Sequence, residues 1–304
     1  MVILSALPAE APVAFIADAL EKQKVPFEMF FYKNLHSLYL EYSMVAGKIT
    51  GEISFGEKSY NLSDITGIYN RAIDFSISSA YKDLDKNSNE YTALRNKYDS
   101  FQNLMELLPV RVMNHNRPMA GNGSKLYQML MIQQCGLKTP DSLVTNKQES
   151  LEAYLNKQGT LIFKSASGIR SIVHTYGDPF SKRSIAACPV LFQKKLNGIN
   201  YRVHVAGSRI FTTIIHSHAV DYRYAKKENA HVELEASTLP PEIEKACFKL
   251  SKTMDLPLAG IDLYKTDGGE WFCFEVNPSP AFSFYESGTG QPIAAAIASY
   301  LSGM

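Results

Sequence analysis

Cysteine is scarce in these 304 residues. Four are present, Cys135, Cys188, Cys247 and Cys273, and no two stand in a CxxC or Cys/His spacing. That excludes a zinc framework and a disulfide scaffold, and it fits a reducing compartment. An excess of one charge is missing too. Lys and Arg number 31 against 30 Asp and Glu, a net charge of +1, so nothing in bulk recruits nucleic acid or an anionic membrane. No apolar run approaches the roughly 20 residues that a membrane helix needs. The N-terminal MVILSALPAEAPVAFIADAL has no basic start, and Pro8, Glu10, Pro12 and Asp18 interrupt it, which argues against a signal peptide. Nucleophile and cofactor signatures are absent as well: there is no GxSxG, no HExxH, no GxxxxGK[ST], and no GxGxxG after a strand. Covalent catalysis by a side chain and dinucleotide binding therefore have no support. The expectation is a cytoplasmic globular protein with no nucleic-acid or membrane partner.

Apolar residues make up 45% of the chain and charged residues 20%, which suits a protein with a substantial core. The opening reads as a βαβ unit: a buried strand over Val2–Ala6, an amphipathic helix over Pro12–Lys24, and a strand over Phe27–Phe31. Short strands at Leu38–Tyr42, Glu52–Phe55 and Ile65–Tyr69 and a helix at Glu90–Leu108 complete a small α/β domain over residues 1–107. A strand at Val110–Met113 and a helix at Ser124–Cys135 follow, the helix closed by Gly136 with Pro140 beyond it. Strands are expected at Leu161–Lys164, Ile172–Tyr176, Leu191–Lys195, Tyr201–Ala206 and Arg209–His216, and helices at Pro240–Thr253 and Gln291–Leu301.

The most chemical stretch is GIDLYKTDGGEWFCFEVNPSP, Gly260 to Pro280. Folded as a hairpin on a two-residue Gly268-Gly269 turn, it sets Asp262 opposite Glu275. Strand alternation then places Ile261, Leu263, Phe272, Phe274 and Val276 on a core face and Asp262, Glu275 and Asn277 on the other. Two carboxylates and an amide oxygen are hard donors suited to Mg²⁺ shared with substrate phosphates; the plain alternative is an edge hairpin with a polar face. In the hairpin that turns at Gly207-Ser208, Asn200, Arg202 and His204 share one face. Arg202 is a candidate for bidentate phosphate or carboxylate binding, or for pairing with Asp221 or Glu275. His204 reads as a hydrogen-bonded histidine before a general base. Lys164 ends an apolar strand and precedes Ser165-Ala166-Ser167-Gly168-Ile169-Arg170-Ser171, small residues whose backbone amides can approach phosphate oxygens. Lys125 opens a helix, placed to hold a phosphate or to stand in solvent. Asp221-Tyr222-Arg223 either faces the same cleft or forms a cap or turn.

Together these residues resemble ATP-grasp enzymes of the RimK and glutathione-synthetase-like branch. The matching pieces run from Val110 to Leu301: NGSKLYQ, TPDSLVTN, LIFKSASG, LFQKKLNGINYRVHV, DYRY and GIDLY…FEVNPSPAFSFYE. The resemblance implies a mixed α/β and α+β architecture. A pre-ATP-grasp domain (1–107) would precede a two-subdomain grasp, central over 108–188 and C-terminal, with the metal site, over 189–304. ATP would lie between the subdomains. Lys125 and Lys164 would contact its phosphates and adenine side, and the loop Ser165 to Ser171, with Ser167 and Gly168, would close over the triphosphate. Gln193, Lys194 and Leu196 would meet its adenine, and Asp262, Glu275 and Asn277 its Mg²⁺. Arg202 and Lys164 would serve catalysis, Arg202 being aimed at the transferred phosphoryl group. The hinge carries Gln193 where relatives often have an acid. The phosphate loop has one glycine, Gly168, which makes Arg170 a candidate extra phosphate ligand. The activity implied is ATP- and Mg²⁺-dependent joining of a carboxylate to an amine through an acylphosphate, on a peptide or a small amino-acid-like substrate. Arg71, Asp221 and Arg223 are candidate substrate contacts. A nucleotide-binding regulatory protein and a kinase on the same fold are the alternatives, and homo-oligomerisation is open.

Overall fold

The computed structural model describes residues 1–7, 9–71, 73–166, 173–177, 187–217 and 231–304. The chain opens with β1 (Val2–Ala6), α1 (Ala11–Lys22) and β2 (Phe27–Phe31), then an antiparallel meander of β3 (Leu38–Val45), β4 (Lys48–Phe55) and β5 (Lys58–Asn61). After β6 (Gly67–Asn70) the long helix α2 (Asn89–Leu107) returns the chain to β7 (Arg111–Met113). Four of these strands form a parallel sheet in the order β2-β1-β6-β7. All five residues of β1 are buried, as expected of a central parallel strand covered on both faces. Leu94, Tyr98, Phe101 and Met105 of α2 recur at helical spacing and bury against Phe30, Tyr32 and Phe75. Ser88 caps α2 by accepting a hydrogen bond from the Tyr91 N–H.

The short helix α3 (Asn116–Met119) leads to α4 (Lys125–Gln134), capped by the Ser124 hydroxyl. The strands β8 (Ser142–Thr145), β9 (Leu161–Ser165), β10 (His174–Thr175) and β11 (Val190–Lys194) make an antiparallel sheet in the order β10-β9-β11-β8, and α5 (Gln148–Gln158) packs Leu151 against Leu161 and Phe192. The third large sheet takes β12 (Gly198–Ala206), β13 (Arg209–Ser217) and β14 (Val232–Ser237). After α6 (Pro241–Thr253) it is completed by β15 (Leu258–Thr266) and β16 (Trp271–Asn277), in the order β14-β13-β12-β15-β16. Helices α7 (Ser283–Thr289) and α8 (Ile293–Ser302) close the chain.

α8 brings the two ends of the sequence together. Ile293, Ala294, Ala296, Ile297, Ala298 and Leu301 share one core with Val2, Leu4, Val13, Ile16 and Leu20 from the opening unit, with Ala206 and Leu258 from the last sheet, and with Phe282 just before α7. The helix lies so close to β6 that a Cβ on Gly67 would sit 2.3 Å from the Leu301 carbonyl oxygen. Only glycine fits there.

The mixed α/β architecture agrees with the expectation, as does the βαβ opening. The periodicity did not announce β5, β8, α5, β14 or α7, which are short or polar on most faces. No helix among the described residues is long and apolar enough to cross a membrane.

Candidate active site

The site is built on three adjacent strands of the last sheet. Arg202 on β12 lies opposite Asp262 on β15, and Asp262 lies opposite Glu275 on β16. The Asp262–Glu275 pairing matches the expectation, but the hairpin reaches it by another route. Thr266 donates its N–H to the Glu270 carbonyl, so the turn is longer than Gly268-Gly269 alone. Leu263 then pairs with Cys273, and the register shifts between Asp262 and Leu263. The extra residue is Phe274, a β-bulge that restores Glu275 to Asp262.

The bulge also corrects the expected faces of Phe272 and Phe274. Trp271, Cys273 and Val276 pack into the core with Ile261 and Leu263. Phe272 and Phe274 are thereby turned to the other side, and the Phe274 ring meets Tyr264 at 5.3 Å between centroids. Alternation cannot reveal this, because one inserted residue inverts the face of everything on its turn side.

Arg202 is 5% exposed, and its Nη1 donates to Asp262 Oδ1 at 2.5 Å. The sequence left Asp221 or Glu275 as its partner; among the described residues the structure pairs it with Asp262, and Asp221 lies outside them. Tyr285 of α7 lies over the guanidinium, 5.6 Å from ring centroid to carbon. A Cβ on Gly260 would lie 2.2 Å from Arg202 Nη2, so glycine at this position makes the space the arginine occupies. Asp262 keeps a second carboxylate oxygen, Glu275 contributes two more, and Asn277 Oδ1 accepts the Ser279 N–H at 2.9 Å while retaining a second lone pair. Among the described residues no three His, Cys, Asp or Glu side chains are placed to hold a metal ion; what this face offers is two carboxylates and an amide oxygen. Directly opposed carboxylates in a sheet repel. A divalent cation bound by hard oxygens fits this set.

His204 is fully buried beside Arg202, whose Nε donates to its Nε2 at 3.4 Å, and Nδ1 has no partner among the described residues. Burial, reinforced by the adjacent guanidinium, holds the imidazole well below its ordinary pKa of 6.5 and therefore neutral. An unfolded histidine takes up a proton below 6.5 and this one does not, so folding stability should fall as pH drops through that value. The slope from this group reaches about 1.4 kcal/mol per pH unit. Urea unfolding at pH 7.5 and 5.5 checks it: His204→Phe should show a smaller loss between the two than the parent.

The end of β16 and the loop after it are tied down by three segments. Asn114 donates its side-chain N–H₂ to the Pro278 and Leu258 carbonyls and accepts the Leu258 N–H. Arg71 donates to the Ser279 carbonyl and hydroxyl at 2.9 and 2.7 Å, and its Nε to Glu10 at 2.7 Å. Gln128 bonds the Val276 backbone in both directions. None of these supports was singled out in the sequence except Arg71, and NGSKLYQ held Gln128 without disclosing its partner.

The remaining candidates lie as follows. Lys125 is the first residue of α4 and is half-buried. Lys164 and Ser165 end β9, opposite Leu191 and Val190, and Lys164 shares its sheet face with Leu191 and Gln193. Gln193 is 1% exposed; its Nε2 donates to the Ser142 hydroxyl at 2.9 Å, and its Oε1 has no partner among the described residues. Lys194 is exposed, and the Leu196 carbonyl accepts the Tyr264 hydroxyl. Ser167, Gly168, Arg170, Asp221 and Arg223 lie outside the described residues.

The model of the RimK-like ATP-grasp domain matches residues 122–301, more than half of the chain. The chain belongs to the RimK-like ATP-grasp family. It is 30% identical over 110 residues to a probable alpha-L-glutamate ligase of Cellvibrio japonicus, a match covering 36% of this chain and 36% of that protein. It is 24% identical over 215 residues to probable alpha-L-glutamate ligase 1 of Shewanella amazonensis, covering 64% of this chain and 68% of the relative. Among solved structures, a RiPP-associated ATP-grasp ligase of Chryseobacterium gregarium, in complex with ADP and a leader and core peptide, superposes with a TM-score of 0.83 at 18% identity. That match covers 99% of this chain and 96% of the other and shows a shared fold.

Proposed function

We propose that this RimK-like ATP-grasp chain is an ADP-forming ligase that joins a carboxylate to an amine through an acylphosphate. The observation that carries the reading is the row Arg202–Asp262–Glu275 across three neighbouring strands, with Asn277 two residues beyond Glu275 on β16. Phosphoryl transfer to a carboxylate needs alignment and charge neutralisation more than a protein nucleophile, and this row offers a fixed cation beside a hard-oxygen set. Mg²⁺ held by Asp262, Glu275 and Asn277 would neutralise the nucleotide's phosphate oxygens.

The other roles follow from placement. Lys125 and Lys164 reach the phosphates from α4 and β9, with Ser165, Ser167, Gly168 and Arg170 on the phosphate side. Gln193, Lys194 and Leu196 border the adenine. The buried Gln193 Oε1, an acceptor without a partner among the described residues, supports this because an exocyclic amine would satisfy it. The substrate is a peptide or an amino-acid-like molecule, with Arg71, Asp221 and Arg223 its candidate contacts. Relatives named for glutamate ligation and a structural neighbour holding a leader and core peptide support that class. The working division of the chain is 1–107, 108–188 and 189–304.

The test is ADP and phosphate release from Mg²⁺-ATP against a pooled set of carboxylates and amines that includes peptides. Release requiring both a carboxylate and an amine is expected. Release with a carboxylate alone and no amide product would make the protein a kinase. Tight Mg²⁺-ATP binding without release under any pairing would make it a regulatory binder.

A further inference from the structure

β16 is the edge strand of the last sheet, so one row of its backbone groups points away from β15. The residue of that row between Glu275 and Asn277 is Val276. Its N–H donates to Gln128 Oε1 at 3.1 Å and its carbonyl accepts from Gln128 Nε2 at 2.8 Å. Gln128 is 2% exposed and comes from α4, far away in sequence. Its amide thus takes the place that a further strand would occupy. Only a primary amide offers one acceptor and one donor at peptide spacing; a carboxylate lacks the donor, an ammonium lacks the acceptor, and leucine lacks both.

The location makes the clamp consequential. Val276 follows the bulge at Phe274 by two residues, and a bulge leaves its strand kinked and locally unpaired. Val276 points its side chain into the core, fully buried, while Glu275 and Asn277 point to the opposite face. Turning the Val276 peptide planes would therefore turn both flanking side chains together. Farther along the same edge, Cys273 donates its N–H to the Lys138 carbonyl, which secures the strand on the turn side of the bulge only. α4 has its own anchor in Ile132, fully buried in the core with Leu137 and Leu250, so the helix does not depend on Gln128 to stay docked. Lys125 stands one turn before Gln128 on the same helix, and the clamp therefore also sets the separation of that lysine from Glu275 and Asn277.

We propose that Gln128 is the positioning residue for the metal-binding pair Glu275 and Asn277, aligning the two by holding the backbone between them. This rests on the proposed metal site, and it assigns to Gln128 no contact with metal or nucleotide. Groups that orient metal ligands change metal affinity about 10–100-fold when removed.

The test is Mn²⁺ binding to the full chain with ADP present, followed by electron paramagnetic resonance, for the parent, Gln128→Leu, Gln128→Glu and Glu275→Gln. Gln128→Leu should weaken Mn²⁺ binding about 10-fold or more. Its thermal midpoint and its metal-free ADP binding should stay close to the parent's, and turnover should recover at saturating metal. Amide hydrogen exchange at Val276, slow in the parent, should become fast. Gln128→Glu has nearly the same shape and keeps the acceptor, so it should fall between the two and remains informative if Gln128→Leu does not fold. Parent-like Mn²⁺ binding in a folded Gln128→Leu, alongside its loss in Glu275→Gln, would overturn the role of Gln128 and leave the metal site standing. Parent-like binding in Glu275→Gln as well would overturn the metal site and this inference with it.

Discussion

Glu275→Gln is expected to leave a folded protein with no detectable ATP turnover. The substitution keeps the size of the side chain and one of its oxygens and removes one negative charge from the set that Asp262, Glu275 and Asn277 form. A hard divalent cation depends on that charge, and an amide does not replace it. The same change relieves the repulsion between two carboxylates that face each other across β15 and β16, a destabilising arrangement in a sheet. The thermal midpoint should therefore hold or rise while activity disappears. Coupled-enzyme detection of ADP and a thermal melt read the two together. Full turnover in this variant would remove Glu275 from the site, and lost activity with a lowered midpoint would mean the hairpin had been damaged.

Arg202→Lys is expected to lower kcat about 10²–10³-fold, the range for losing one preorganised charged donor from a reacting centre, with ATP affinity changed only a few-fold. The native guanidinium makes several contacts at once. It donates to Asp262 and to His204, lies under Tyr285, and fills the space that Gly260 leaves. A lysine keeps the charge, so the half-buried Asp262 carboxylate is not left without a cation and the fold should survive. A compact ammonium has neither the planar fork nor the reach to hold Asp262 and face a phosphoryl group together. Steady-state kinetics with calorimetric ATP binding separate the two effects. A parent-like kcat would show that Arg202 serves only to pair with Asp262.

Several features of the molecule were legible because they repeat at short range. The βαβ opening, the Gly207-Ser208 turn and the polar face bearing Arg202 and His204 follow from two-residue alternation between neighbours in sequence. The opposition of Asp262 and Glu275 was read correctly through a turn that the structure does not have. A three-residue loop and a bulge at Phe274 cancel in register, and the faces of Phe272 and Phe274 record the difference. Arg202 was legible as a charged residue on a polar face, while its partner was open, since Asp262 adjoins it only when β12 pairs with β15 across some 60 residues.

The sequence by itself determined what the chain offers: the residue types, their order from NGSKLYQ to FEVNPSP, and the two carboxylates on one hairpin. These depend on side-chain identity and local period, which a linear chain carries in full. Tertiary structure alone decided how those groups are held. Gln128 reaches Val276, Asn114 reaches Leu258 and Pro278, Arg71 reaches Ser279, and α8 packs against both β6 and the last sheet. Each of these joins a buried polar group or an apolar face to a partner distant in the chain. Amides, arginines and alanine-rich helices have many possible partners in sequence, and only the closed core selects among them.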